Sequence, residues 1–141
     1  MENFRTSSGL VITASDSGID RASVESRKLL EHFPQFALLK SGGSIDGAKG
    51  WLKTNAGNTY RIQIKTSSSF PYELPTVWPT DWTPPASCPH RFQSGSLCIM
   101  RSAQWTSTFT IAFVVAKTAI WLNKYDVWRS SGAWPGKSQP H

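Results

Sequence analysis

Six prolines, Pro71, Pro75, Pro79, Pro84, Pro85 and Pro89, fall between Phe70 and the last of them. Each fixes its own φ, lacks an amide donor and disfavours helical backbone in the residue before it. No helix can run through this segment, and no central strand holds a proline in its ladder. What remains is a stiff, mostly extended crossing with room for one short strand at Thr76 to Trp78. Such a crossing has little backbone freedom to lose, so it frames a site well.

The two sides of the crossing carry different periods. From Asp20, a candidate N-cap, Ala22, Leu29, Leu30 and Phe33 recur near helical spacing until Pro34 stops the run, which predicts a first amphipathic helix. Phe36 to Lys40, Lys49 to Thr54 and Thr59 to Lys65 then read as strands of an antiparallel meander separated by Gly-rich and Asn/Gly-containing breaks. In the third, Tyr60, Ile62 and Ile64 alternate with Arg61, Gln63 and Lys65, the pattern of a sheet with one buried face. Beyond the crossing, Thr108 or Thr110 can start a core helix whose apolar face is Ile111, Val114, Val115, Thr118, Ala119 and Leu122. Residues 1–19 show no clear period and are expected to be irregular. Residues 123–141 mix aromatic residues with Gly and Pro and are expected to form a short helical or irregular tail. The fold class is therefore α+β: helix, antiparallel meander, loop, long helix.

At 141 residues the chain is sized for one domain, 1–141, with one core and one site. Hydrophobic residues at 39% against charged residues at 17% exclude a disordered chain. No apolar run reaches the roughly 18 to 20 residues of a membrane span, and the N-terminus lacks a basic head before an apolar core, so no membrane association and a cytoplasmic location are expected. The net charge of +6 is spread from Arg5 to Lys137 instead of being clustered, which argues against nucleic acid as partner. Cys88 and Cys98 are the only cysteines, too few for a disulfide scaffold and suited to a compartment that keeps thiols free. With His90 they offer three ligands, short of the four of a structural zinc site, and no metal or cofactor is expected.

Three strings occur in order: Phe70-Pro71-Tyr72-Glu73-Leu74-Pro75 after the third strand, Gly95-Ser96-Leu97-Cys98-Ile99 after the crossing, and Trp105-Thr106-Ser107-Thr108-Phe109-Thr110-Ile111 opening the core helix. Together they resemble the ubiquitin-conjugating enzyme family, with its aromatic-Pro-aromatic string, its Gly-x-Ile/Leu-Cys active site and its following Trp-Ser/Thr string. The resemblance spans Asp20 to Leu122 and implies a ubiquitin-conjugating-like fold with Cys98 as nucleophile. A thiol suits such a role because the thiolate is both a good nucleophile and a good leaving group. Read without the strings, Cys98 between Leu97 and Ile99 is equally a small buried hydrophobe, the commoner fate of a free cysteine.

The chain departs from the family where the family has His-Pro-Asn. Here the string is His90-Arg91-Phe92, with two fewer residues before the cysteine, so the Asn is absent. His90 then stands as oxyanion donor or as structural anchor of the loop. The resemblance also implies an acidic residue just beyond the core helix that orients the incoming lysine. Asp126, the only acidic residue after Asp81, fits that place, and solvation of a helix end explains it equally. Trp105, Trp121, Trp128 and Trp134 are read as packing around the core helix and shielding of the active-site loop, ahead of platforms for bases.

The ending, Trp121-Leu122-Asn123-Lys124-Tyr125, Trp128 and Gly132-Ala133-Trp134-Pro135-Gly136, is more similar to compact prokaryotic relatives of anti-phage CBASS operons than to the eukaryotic enzymes. Membership there implies a transferase that carries a partner's C-terminus as a thioester and passes it to an amine. The implied partner is a cGAS-like nucleotidyltransferase; since nothing in this chain resembles an adenylating domain, either a separate activating enzyme supplies the activated donor or the partner is already activated. Two alternatives remain at this level: a catalytically silent binding module, and a thiol hydrolase in which Cys98 processes a partner's C-terminus with His90 as base.

Overall fold

Asp20 caps the first helix as its sequence predicts. Its carboxylate accepts the Ser23 amide at 3.1 Å, and helix α1 runs Arg21–His32 before Pro34. The computed structural model describes residues 9–136. Strands β1 (Ala37–Ser41), β2 (Ser44–Lys53), β3 (Thr59–Lys65) and β4 (Thr76–Pro79) follow as one antiparallel sheet in the order β1-β2-β3-β4. The α+β meander expected from the sequence is therefore present, and its arrangement is consistent with a ubiquitin-conjugating-like fold.

Two boundaries differ from the sequence reading. The second strand starts at Ser44, so residues 44–48 belong to the sheet instead of to a Gly-rich break. Gly42, with φ 61°, turns the chain tightly enough for Ser41 to pair with Ser44. Gly47 is needed for a different reason: a Cβ there would lie 1.9 Å from the Ile64 carbonyl oxygen, so only glycine lets β2 approach β3. The core helix α2 spans Ile111–Ser131, past the expected end at Leu122. Thr118, Trp121, Leu122 and Tyr125 are all buried and keep the i, i+3, i+4, i+7 spacing, and the first stop is Gly132, at φ 81°. The expected tail at 123–141 is thus helical through its first half, and residues 137–141 lie outside the described part.

The core lies between the inner face of the sheet and α2. Ala48, Leu52, Tyr60, Ile62, Ile64 and Val77 share this core with Ile111, Val114, Val115 and Leu122, together with Leu29 of α1 and Phe33 just past its end. β3 alternates as its sequence predicts, with Tyr60, Ile62 and Ile64 buried. α2 is less one-sided than expected: every residue from Ile111 to Ala116 is buried, so its first turns are surrounded by protein on all sides.

Polar side chains fix the entry to α2. Thr110 caps it by accepting the Phe113 amide at 3.2 Å, while its hydroxyl donates to the Leu10 carbonyl at 2.7 Å. The fully buried Glu25 accepts the Ile111 amide at 2.8 Å, placing a carboxylate where the helix start is electropositive. Burial nevertheless raises its pKa, against those hydrogen bonds and the Arg21 charge. Arg21 pairs with Glu25 at 2.8 Å and donates to the carbonyls of Ser107 and Phe109 at 2.9 and 2.7 Å. The N-terminal segment also has order: Ile12 donates to Thr108 at 2.7 Å, and Val11 bridges Phe109. The string opening α2 is therefore held from α1 and from residues 10–12, which fixes α2 against the crossing.

Candidate active site

The proline-rich crossing ends in a tight hairpin that carries Cys98. Arg91 bridges Leu97, and the turn between them closes through Phe92 to Ser96 and Gly95 to Phe92 hydrogen bonds, each 2.9 Å. Gly95 holds the positive φ of 100° that this turn requires. Leu97 donates to the Val77 carbonyl at 2.8 Å, joining the hairpin to the edge of β4, and its side chain is 2% exposed in the core. Side chains alternate along extended backbone, so with Leu97 turned inward Cys98 faces the other way. That other side is a cleft of about 220 Å³, lined by Cys98, His90, Ile99, Met100, Gln104, Lys117, Ile120, Trp121, Lys124 and Trp134.

His90 ties this loop to α2 through its backbone. Its φ of 57° is left-handed, which costs a non-glycine residue ~1 to 2 kcal/mol. The conformation aims its carbonyl at two donors: the Cys98 amide and Trp121 Nε1, each at 2.9 Å. The ring stands 5.1 Å from Trp134, which in turn meets Trp121 edge-on at 5.3 Å. The main chain of His90 thus ties the loop to α2, and its ring lines the cleft beside Cys98.

The sequence reading placed Asp126 at the site, just beyond the core helix; the structure places it inside α2 and off the cleft wall. Its carboxylate accepts from the hydroxyls of Thr54 and Tyr60, so it fastens α2 to the end of β2 and the start of β3. Burial first, then the hydrogen bond and negative charge of Asp126, push the Tyr60 phenol up to about 12. With no glycine or proline between Leu122 and Gly132, the helix runs on and carries residue 126 around to its sheet-facing side. In its place the α2 face toward Cys98 presents Lys117 and Lys124, which the sequence reading passed over. The signal was available, since Lys117, Ile120, Trp121 and Lys124 are spaced i, i+3, i+4, i+7 and share one face.

Burial raises the pKa of the Cys98 thiol above the usual thiol range, so at neutral pH it rests protonated. The same cause takes Cys88 to about 11, with only partial relief from the Arg91 charge. Cys88 donates to the Pro89 carbonyl at 3.3 Å and belongs to the contiguous core, whereas Cys98 does not. Among the described residues no three His, Cys, Asp or Glu side chains converge to hold a metal, so Cys88, His90 and Cys98 do not form a metal cluster. No described helix is long and apolar enough to cross a membrane.

Cys98 thus sits on a buried hairpin and lines a cleft beside the second helix. The model of the E2-CBASS family, described as Type II CBASS E2 protein, matches residues 25–141. The chain belongs to this family. Comparison with curated proteins found no match. The E2-CBASS match opens within α1 and takes in the whole sheet, the Cys98 hairpin, α2 and the residues after it, so the segment from Asn123 onward is part of the family pattern. Membership identifies a CBASS-associated, E2-like protein with a protein partner in that system.

Proposed function

We propose that this E2-CBASS protein is a cysteine-dependent acyl transferase that carries the C-terminus of a protein partner as a thioester on Cys98 and passes it to an amine. One observation carries the reading: of two almost equally buried cysteines, the one in the family's active-site string lines an open cleft outside the core. Loading requires Cys98 Sγ to attack an activated carboxyl at the partner's C-terminus. The leaving group departs, the thiol proton goes to solvent or to the departing group, and the acyl carbon remains on sulfur. Transfer reverses the roles: an amine forms a C–N bond, the C–S bond breaks, and Cys98 regains a proton. A thiol of raised pKa is mostly protonated while idle, and its thiolate is intrinsically the stronger nucleophile.

The partner in this reading is a cGAS-like nucleotidyltransferase of the same CBASS system, loaded with help from a separate activating enzyme. Ile99, Met100, Ile120 and Trp121 give the cleft an apolar wall for a narrow, extended chain end, and Trp134 overhangs it beside His90. Asp126 has no part in transfer; its carboxylate serves the fold.

Co-expression of the chain with the proteins encoded beside it tests the reading, with wild type and Cys98→Ala compared on reducing and non-reducing gels. The expected result is a larger species whose intact mass equals chain plus partner less water, absent from Cys98→Ala, with the fraction still held on sulfur lost on treatment with a thiol reductant. If Cys98→Ala forms the same species, or if phage protection is unaffected by the substitution, the chain acts as a binding module instead.

A further inference from the structure

The cleft in front of Cys98 contains amines and no carboxylate. Lys117 and Lys124 line it, the other lining residues are neutral or histidine, and among the described residues neither lysine forms an ion pair. An acceptor lysine arriving from another protein would bring its ammonium toward two like charges, with no acidic side chain in the cleft to receive it. An amine that belongs to the cleft meets no such barrier to entry.

The two lysines are not equivalent. Trp121 fixes how α2 sits against Cys98, because its Nε1 and the Cys98 amide share the His90 carbonyl, each at 2.9 Å. Lys124 follows Trp121 by less than one turn, about 4.5 Å along the axis. Helical side chains lean toward the N-terminus, so Lys124 leans back to the level of Trp121 and Cys98. Its Nζ lies 3.6 Å from where a Cβ on Gly136 would stand, an ordinary contact distance, so the amine rests beside the residues that follow α2. Lys117 stands one turn before Trp121 and leans the same way, which carries its Nζ away from that level, to 5.8 Å from the centroid of the Phe113 ring.

We propose that Lys124 is an acceptor in cis: the acyl group held on Cys98 passes to Lys124 Nζ of the same chain, making Lys124 a modification site. The inference rests on the thioester reading of Cys98 and adds the identity of one acceptor. In the step, the Lys124 ammonium first gives a proton to solvent. The neutral amine attacks the thioester carbonyl, a C–N bond forms, the C–S bond breaks with its electron pair going to Cys98 Sγ, and the proton lost by the amine ends on that sulfur. The products are an amide on Lys124 and a free Cys98 thiol. No oxidant or further reactant is needed. The amide leaves the acyl chain lying in the cleft, where it blocks reloading.

A small probe tests the step without the natural partner: a short glycine-ended peptide thioester of mercaptoethanesulfonate, incubated with the whole chain and followed by intact mass and peptide mapping. The expected sequence is a hydroxylamine-labile acyl group on Cys98, then a hydroxylamine-stable one on Lys124, with neither formed in Cys98→Ala. Lys124→Arg keeps the charge and removes the acylable amine; the stable product then falls by about tenfold or more, the advantage of an amine already in place, while the labile one accumulates. Lys117→Arg leaves the stable product on Lys124. A labile group on Cys98 with the stable product absent, on Lys117 or scattered over surface lysines overturns the cis acceptor and leaves the thioester reading intact. So does a Lys124→Arg variant that loads Cys98 poorly, which would make Lys124 a docking cation. If the probe never acylates Cys98 while labelling free amines, the thioester reading falls, and the cis acceptor with it.

Discussion

Cys88 and Cys98 stand on either side of His90 and are almost equally buried, at 5% and 6% exposure. Burial raises the pKa of both thiols. Exposure does not separate them; their surroundings do. Cys88 packs into the continuous core and spends its thiol proton on the Pro89 carbonyl, while Cys98 sits one residue past a leucine anchored in that core and faces a cleft. One residue of strand alternation thus sets Cys98 on the cleft side of the hairpin while Leu97 stays in the core.

The largest expected difference comes from removing each sulfur. Cys98→Ala should abolish every covalent adduct, whereas Cys88→Ala should keep adduct formation and lower unfolding stability by ~1 kcal/mol, the cost of a small core deletion, measured by urea denaturation. Equal loss of adduct in both variants would erase the distinction. Trp121→Phe removes one of the two donors to the His90 carbonyl. It should slow Cys98 loading about tenfold and cost ~1 kcal/mol in stability, and kinetics normalised to folded protein would show whether the anchor acts on Cys98.

Alkylation by iodoacetamide, read by peptide mass, sharpens the comparison with pH. Both thiols have raised pKa values, so the thiolate fraction is small at neutral pH and grows about tenfold per pH unit until pH reaches that raised value. Cys98 should be modified first, at a rate still climbing from pH 7 to 9, with Cys88 following only as the protein unfolds. A plateau near pH 7 for Cys98 would contradict the raised value.

Asp126→Ala should lower stability by ~1 to 3 kcal/mol, because Thr54 and Tyr60 lose their acceptor. Adduct formation per folded molecule should stay within about twofold, and a larger fall would return Asp126 to the chemistry. The smallest effect is expected from His90→Asn, which tolerates left-handed backbone and keeps the carbonyl that anchors Cys98. A loss beyond about a hundredfold would assign the imidazole ring a direct role.

The fold was legible wherever a period was long or a breaker was clear. Tyr60-Ile62-Ile64 and Asp20 with Pro34 appear as the sequence predicts, and of the two starts it offered for α2, Thr108 and Thr110, the structure takes Thr110. The end of α2 was misread because aromatic residues after Leu122 resemble a loop in composition while Trp121 and Tyr125 continue the helical spacing. That one boundary also displaced Asp126 and hid Lys124, since turning a residue about a helix axis depends on where the helix stops. Of the candidate site, Cys98 could be identified from its string, but the double use of the His90 carbonyl could not. Main-chain acceptors carry no side-chain signature, and only the fold brings Trp121 to that oxygen.

The most direct test of the account is neutral hydroxylamine treatment of the adduct between this chain and its natural partner, purified under non-reducing conditions. A thioester on Cys98 predicts release of the intact chain together with a partner whose C-terminal residue has become a hydroxamate. An adduct that resists hydroxylamine and yields only to reductant, with the partner joined through a cysteine of its own, would be a disulfide and would contradict acyl transfer by Cys98.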